Sequence, residues 1–156
     1  MKIEPGQIAP DFTLYSSEKE KITLSSLKGE NIVLLFFPLA FTSTCTTELC
    51  SVRDNIGFYN NVNAKVLGIS VDSLHTLAKY KAEQHLNFTL LSDFNKEVSK
   101  AYGSLYEMFG YNMKGVSKRS AFVIDKQGII RYAEVLDNAS EIPDFTSIDK
   151  ILTQLK

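Results

Sequence analysis

Phe36-Phe37-Pro38-Leu39-Ala40-Phe41-Thr42-Ser43-Thr44-Cys45-Thr46-Thr47-Glu48-Leu49-Cys50 carries both cysteines of the chain and joins two kinds of element. It begins inside Ile32-Val33-Leu34-Leu35-Phe36-Phe37, which is apolar at every position. In so short a run this indicates a strand covered on both faces, as in a parallel sheet. Pro38 stops the strand. Beyond the turn, Cys45, Leu49, Val52, Ile56 and Tyr59 recur at helical spacing and predict a helix over about residues 44–60. Thr42, Ser43 and Thr44 are all suitable N-caps, and Glu48 suits the positive end of the helix dipole. A strand-to-helix turn aims unpaired backbone N–H groups at the first helical turn. A thiol placed there has a reason to ionise, and a thiolate is a nucleophile.

Upstream of this stretch, residues 3–10 read as an extended lead-in. Phe12-Thr13-Leu14 and Ile22-Thr23-Leu24 read as a hairpin across a polar turn, and Ser25-Ser26-Leu27-Lys28-Gly29 as one helical turn closed by glycine. Downstream, Lys65–Val71 reads as a second buried strand, and Asp72 or Ser73 can cap a helix running to about His85. Asn87–Leu91 predicts a strand and Lys96–Tyr102 a helix. Gly103–Ser117 has three glycines, two of the three methionines and several aromatics, and is read as loop. Arg119–Ile124 enters a strand, Asp125-Lys126-Gln127-Gly128 turns it, and Ile129–Glu134 returns. Pro143 opens a last helix with Phe145, Ile148, Leu152 and Leu155 on one stripe. The pattern is α/β: a mixed sheet flanked by helices and preceded by a hairpin.

A length of 156 residues fits one domain spanning 1–156. The net charge of −1, from 17 basic and 18 acidic residues, offers no electrostatic footprint for nucleic acid or an anionic membrane. No apolar run approaches the roughly 18–20 residues of a membrane span, and Met1–Gln7 has no apolar core of a signal peptide, so a cytoplasmic protein is expected. Two cysteines do not make a structural disulfide framework, and His75 and His85 have no zinc-module spacing relative to them, so no metal site is expected.

Cys45 shares a helical stripe with Leu49 and Val52 and so faces protein, which suits a buried structural thiol as well as a reactive one. Glu48 opposes ionisation as a like charge, so a reactive Cys45 needs a cation from elsewhere in the chain. Cys50 lies five residues on. In an intact helix that spacing rises ~7.5 Å and turns ~140°, placing the Cα atoms ~8.7 Å apart. Disulfide geometry tolerates about 7 Å at most. Either the pair never bonds or bonding requires the first helical turns to unwind, which the threonine-rich Thr42–Thr47 makes inexpensive.

Pro38, three residues, Thr42, two residues, Cys45 resembles the peroxiredoxin motif. Arg119, just before Phe122-Val123-Ile124-Asp125, resembles the arginine that precedes a late strand in that family. The resemblance extends from Pro10-Asp11-Phe12 onward and implies a thioredoxin-like fold. It implies a peroxidatic role for Cys45, a peroxide held by Thr42 and Arg119, and a pocket shaped and shielded by Pro38, with Glu48 and Phe41 close by. Sulfur carries the electrons, so no cofactor is implied. Phe37–Thr42 is similar to the alkyl hydroperoxide reductase E type; Cys45-Thr46-Thr47-Glu48-Leu49-Cys50 is similar to the bacterioferritin comigratory protein type, in which the second cysteine resolves the first. Resolution is then intramolecular, with a thioredoxin-like dithiol as reductant and a monomer or homodimer as the assembly. Without the resemblance, Thr42 reads as an ordinary cap and Arg119 as a solvated surface residue. Glu48 reads equally well as surface helix charge, and Arg53 and Arg131 as structural or surface residues. The competing functions on the same fold are a thiol–disulfide oxidoreductase, which wants Cys-x-x-Cys rather than Cys-x-x-x-x-Cys, and a non-enzymatic redox sensor.

Overall fold

A computed structural model describes residues 2–155 and contains a seven-stranded mixed sheet with helices on both faces. In chain order the elements are β1 (Thr13–Ser16), β2 (Lys21–Thr23), β3 (Asn31–Phe36), α1 (Ser43–Asp54), α2 (Ile56–Asn61), β4 (Ala64–Ser70) and α3 (Leu74–Gln84). There follow β5 (Thr89–Ser92), α4 (Glu97–Ala101), β6 (Ser120–Ile124), β7 (Ile130–Val135) and α5 (Phe145–Leu155). The strand order is β2-β1-β5-β4-β3-β6-β7. β3, β4 and β5 run parallel, while β1 and β6 join them antiparallel and extend the sheet through the hairpins to β2 and β7.

The unbroken apolar run of β3 has the two-sided burial it predicts. Val33 and Leu35, with Phe37 just beyond the strand, pack with Cys45, Leu49, Val52, Leu77, Tyr80, Ile148 and Leu152 on the face covered by α1, α3 and α5. Ile32, Leu34 and Phe36 pack with Phe12, Val98, Tyr102 and Phe122 on the other face, under α4 and the lead-in. Gly68 is where β4 lets its neighbour in, since a Cβ there would stand 2.8 Å from Leu90 Cδ2.

Three expectations are revised or refined. The single helix over 44–60 is broken at Asn55, whose φ and ψ of −113° and 18° leave the helical region. Its N–H donates to the Val52 carbonyl at 3.0 Å, a tightened closing turn, and Gly57 just beyond weakens continuation. The Gly103–Ser117 segment is irregular but ordered. Leu105 bridges Ser117, Phe109 bridges Met113, and a short 3₁₀ turn spans Gly110–Asn112. The last helix begins at Phe145 rather than at Pro143. Asp144 caps it, accepting from the Ser147 N–H at 3.1 Å. No helix among the described residues is long and apolar enough to cross a membrane.

Candidate active site

The register of β6 against β3 builds the site. Phe36 at the end of β3 pairs with Ser120 at the start of β6, so the residue before β6 arrives beside the turn that leaves β3. That residue is Arg119. It lies 74 positions from Cys45 in sequence, yet its Nη2 donates to Cys45 Sγ at 3.3 Å. Cys45 is fully buried and Arg119 is 1% exposed, so the interaction is shielded from water. The guanidinium thus brings a buried positive charge and an N–H donor onto the sulfur. The reading of Arg119 as a surface residue therefore fails. Antiparallel pairing draws its backbone into the sheet and its side chain under the loop after β7.

That loop holds the guanidinium. Arg119 Nε and Nη2 donate to the Ala139 carbonyl at 3.3 and 3.0 Å. Nη1 donates to Glu48 Oε1 at 2.7 Å, one helical turn beyond Cys45. Glu48 is fully buried, not surface charge, because it lies on the same inward stripe as Cys45, Leu49 and Val52. Burial pushes its carboxyl up to about 7, against the pull of Arg119. Its Oε2 is buried without a hydrogen-bond partner. The carboxylate and the sulfur share one guanidinium, and burial weakens the carboxylate's hold at neutral pH.

Thr42 stands at the N-cap position with an extended backbone, but its hydroxyl donates to the Leu39 carbonyl at 2.8 Å and caps nothing. The first ladder bond is from the Thr46 N–H to the Thr42 carbonyl at 3.0 Å. Among the described residues, nothing accepts from the N–H groups of Ser43, Thr44 or Cys45. The positive end of α1 is therefore left open. The turn itself is fixed from β4's end, where the Asp72 carboxylate accepts from the Ala40 N–H at 2.8 Å and from Ser70 Oγ at 2.7 Å.

In front of Arg119 lies a cavity of about 190 Å³ lined by Pro38, Thr42, Ser43, Thr44, Phe109, Ala139 and Ser140. Pro38, Thr42 and Arg119 thus meet around one space at the open helix end, with Cys45 buried directly behind it. Phe41 does not line it. Held at φ +66°, Phe41 turns its ring to Tyr80, with centroids 4.9 Å apart, and is half exposed. The sequence offered no sign of Ala139, which acts through a backbone carbonyl, or of Ser140. Phe109 was visible only as one aromatic in an irregular segment.

Cys50 faces another way. It is half-buried, a free thiol like the fully buried Cys45, and its Sγ donates to Gln84 Oε1 at 3.7 Å at the end of α3. α1 is continuous through both cysteines, and the hydroxyls of Thr46 and Tyr80, 2.8 Å apart, tie its first turns to α3. Arg131 pairs with Asp125 Oδ2 at 2.6 Å, away from the site. Among the described residues, no cluster of His, Cys, Asp and Glu could hold a metal ion.

Comparison with known proteins agrees with this geometry. The sequence model of the AhpC/TSA family matches residues 5–133. Alkyl hydroperoxide reductase E of Mycobacterium tuberculosis is 40% identical over 133 residues, covering 83% of this chain and 84% of that protein. The crystal structure of peroxidoxin BcpB from Mycobacterium tuberculosis superposes with a TM-score of 0.83 at 29% identity, covering 98% of this chain and 96% of the other. The mitochondrial 2-Cys peroxiredoxin from Plasmodium falciparum superposes with a TM-score of 0.80 at 31% identity, covering 97% and 93%.

Proposed function

The chain belongs to the AhpC/TSA family of peroxiredoxins, thiol peroxidases with a thioredoxin-like fold, and from that premise we propose that Cys45 reduces hydrogen peroxide and organic hydroperoxides in a two-cysteine cycle. The observation that carries the reading is the buried Arg119 guanidinium donating to Cys45 Sγ at 3.3 Å, beside an open helix end. It supplies the cation that a reactive Cys45 requires.

The Cys45 thiolate attacks one peroxide oxygen. A sulfur–oxygen bond forms, the oxygen–oxygen bond breaks, and the leaving alkoxide or hydroxide takes a proton to become alcohol or water. Sulfur is left as a sulfenic acid. Thr42 gives its hydroxyl proton to Leu39, so its oxygen is free to accept from the hydroperoxyl O–H. Arg119 and the unpaired N–H groups of Ser43 and Thr44 donate to the oxygens as charge develops. Pro38 and Phe109 wall the space and keep bulk water from the reacting atoms. Glu48 holds Arg119 in place. Phe41, packed on Tyr80 at the rim, supports the turn rather than the substrate.

Cys50 then attacks the Cys45 sulfenic sulfur and expels hydroxide, forming an intrachain disulfide. The continuous α1 holds the two sulfurs apart, so this step follows unwinding of its first turns. A thioredoxin-like dithiol regenerates both thiols, which places the cycle in a reducing, cytoplasmic compartment. The assembly is a monomer or homodimer, and residues 1–156 act as one domain.

The test is a single turnover. Reduced protein given one equivalent of hydrogen peroxide is expected to lose both thiols and to show an intrachain disulfide by mass spectrometry. Survival of both thiols for minutes refutes peroxidase activity. Cys50→Ser is expected to accumulate a sulfenic acid at Cys45, and Cys45→Ser to leave Cys50 unreactive. A Cys50→Ser protein that still completes a disulfide-free turnover removes Cys50 from the cycle.

A further inference from the structure

Arg53 has no part in the peroxide site, yet it is the most firmly held cation near Cys50. It follows Cys50 by three residues on α1, which places the two side chains on one helical face. Gln84, the last residue of α3, ties both: its side-chain Oε1 accepts from Cys50 Sγ, and its backbone carbonyl accepts from Arg53 Nη1 at 2.6 Å. That carbonyl lies in the last turn of α3, where C=O groups lack helical partners and attract cations. The Arg53 backbone is fixed as well, since its carbonyl accepts from Asn87 Nδ2 at 3.2 Å. Arg53 Nε pairs with the exposed Asp54 at 2.9 Å. Among the described residues, Nη2 has no hydrogen-bond partner.

Among the described residues, Arg53 from its own helix and Tyr80 from α3 both sense the Cys50 sulfur, and Asp54, four positions after Cys50, sits on Arg53. Tyr80 is uncharged at neutral pH, its hydroxyl pushed further up by burial to about 12. Arg53 is therefore the cation held beside this sulfur, with the exposed Asp54 carboxylate on its Nε. It is held more firmly protonated, first by its hydrogen bond to Asp54 and then, against desolvation, by the charge of Cys50 itself.

We propose that Arg53 is the positioning residue of the disulfide-forming step: pinned to the end of α3, it keeps a positive charge beside Cys50 while the start of α1 unwinds. This rests on the reading of Cys50 as the resolving cysteine. Cys50 gives its proton to solvent and attacks Cys45 Sγ. The sulfur–sulfur bond forms, the sulfur–oxygen bond breaks, and hydroxide leaves to become water. Cys50 is oxidised as the Cys45 sulfenic sulfur is reduced to the disulfide level. A fixed guanidinium stabilises the attacking thiolate. The pins at Gln84 and Asn87 also limit unwinding to the residues before Arg53, so Cys50 stays in place as Cys45 swings toward it.

The experiment is a quenched single turnover at pH 7 with one equivalent of hydrogen peroxide, timing Cys45 sulfenic acid and the disulfide separately by mass spectrometry. In Arg53→Met the disulfide step is expected to slow about tenfold at neutral pH. Arg53→Lys is expected to recover most of the rate. Sulfenic acid formation in the same samples reports that each variant is folded. An unchanged rate in Arg53→Met overturns the proposal while leaving Cys50 as the resolving thiol. Arg53→Lys as slow as Arg53→Met overturns it too, because packing would then matter rather than charge. A wild-type protein that never forms the disulfide overturns the reading of Cys50 on which the proposal rests.

Discussion

Glu48→Gln tests the electrostatics of the site without touching sulfur. In the folded protein burial raises the Glu48 carboxyl to about 7 from an ordinary 4.5. A group bound to its proton more tightly when folded contributes stability that is complete below pH 4.5. That contribution is lost as the pH rises through about 7. The displacement corresponds to at most about 3 kcal/mol. The replacement glutamine cannot ionise but keeps an oxygen for Arg119. The two proteins should be about equally stable near pH 4.5, and the variant more stable by up to about 3 kcal/mol near pH 8. For a chain of this length that is about 6–12 °C in melting temperature. The assay is thermal unfolding by circular dichroism from pH 4.5 to 8.5, with both proteins carrying Cys45→Ser so that the thiol does not titrate. Melting curves whose separation does not change with pH would refute the account of a buried carboxyl held up by desolvation.

Arg119→Met should slow sulfenic acid formation at Cys45 by at least about 100-fold in stopped flow, the usual cost of losing a buried donor aimed at developing charge. It should also destabilise the fold, because Glu48 loses its ion-pair partner; a rate within a few-fold of wild type would remove Arg119 from the site. Tyr80→Phe deletes the hydroxyl paired with Thr46 at 2.8 Å. Unwinding of α1 should become easier by about 1 kcal/mol and the disulfide step about fivefold faster in quenched flow, and an unchanged or slower step would show that this contact does not restrain the helix. Phe41→Gly relieves a left-handed backbone but loses the ring on Tyr80. Chemical denaturation should show the two effects, each about 1 kcal/mol, largely offsetting; a loss well beyond that would mean that the ring anchors the turn.

The local elements were legible because local rules govern them. The unbroken Ile32–Phe37 run specified a strand buried on two faces, Pro38 ended it, and the apolar stripe from Cys45 to Val52 specified the inward face of α1. The same stripe, read with one more residue, places Glu48 indoors. Sequence reasoning leaves it between the pocket and the surface, because a carboxylate is rarely buried without a partner and the partner is 71 positions away. Thr42 was legible as a helix start but not in its bonding, since a hydroxyl chooses between the helix N–H groups and the Leu39 carbonyl only once the turn is folded. The break at Asn55 was hidden because the apolar spacing continues through Ile56 and Tyr59 across it.

What the sequence determined alone was the thiol at a helix start, the spacing that forbids a disulfide within an intact helix, and the need for a distant cation. Each is a matter of neighbours along the chain. Which cation answers that need was decided by the pairing of β6 antiparallel to β3, with Ser120 opposite Phe36, which carries Arg119 to Cys45. The carbonyl of Ala139 that steadies it and the end of α3 that pins Arg53 beside Cys50 are backbone groups with no signature in residue type. Only the folded chain brings them within hydrogen-bond reach, because a contact between distant residues depends on strand order and register rather than on either residue's own propensity.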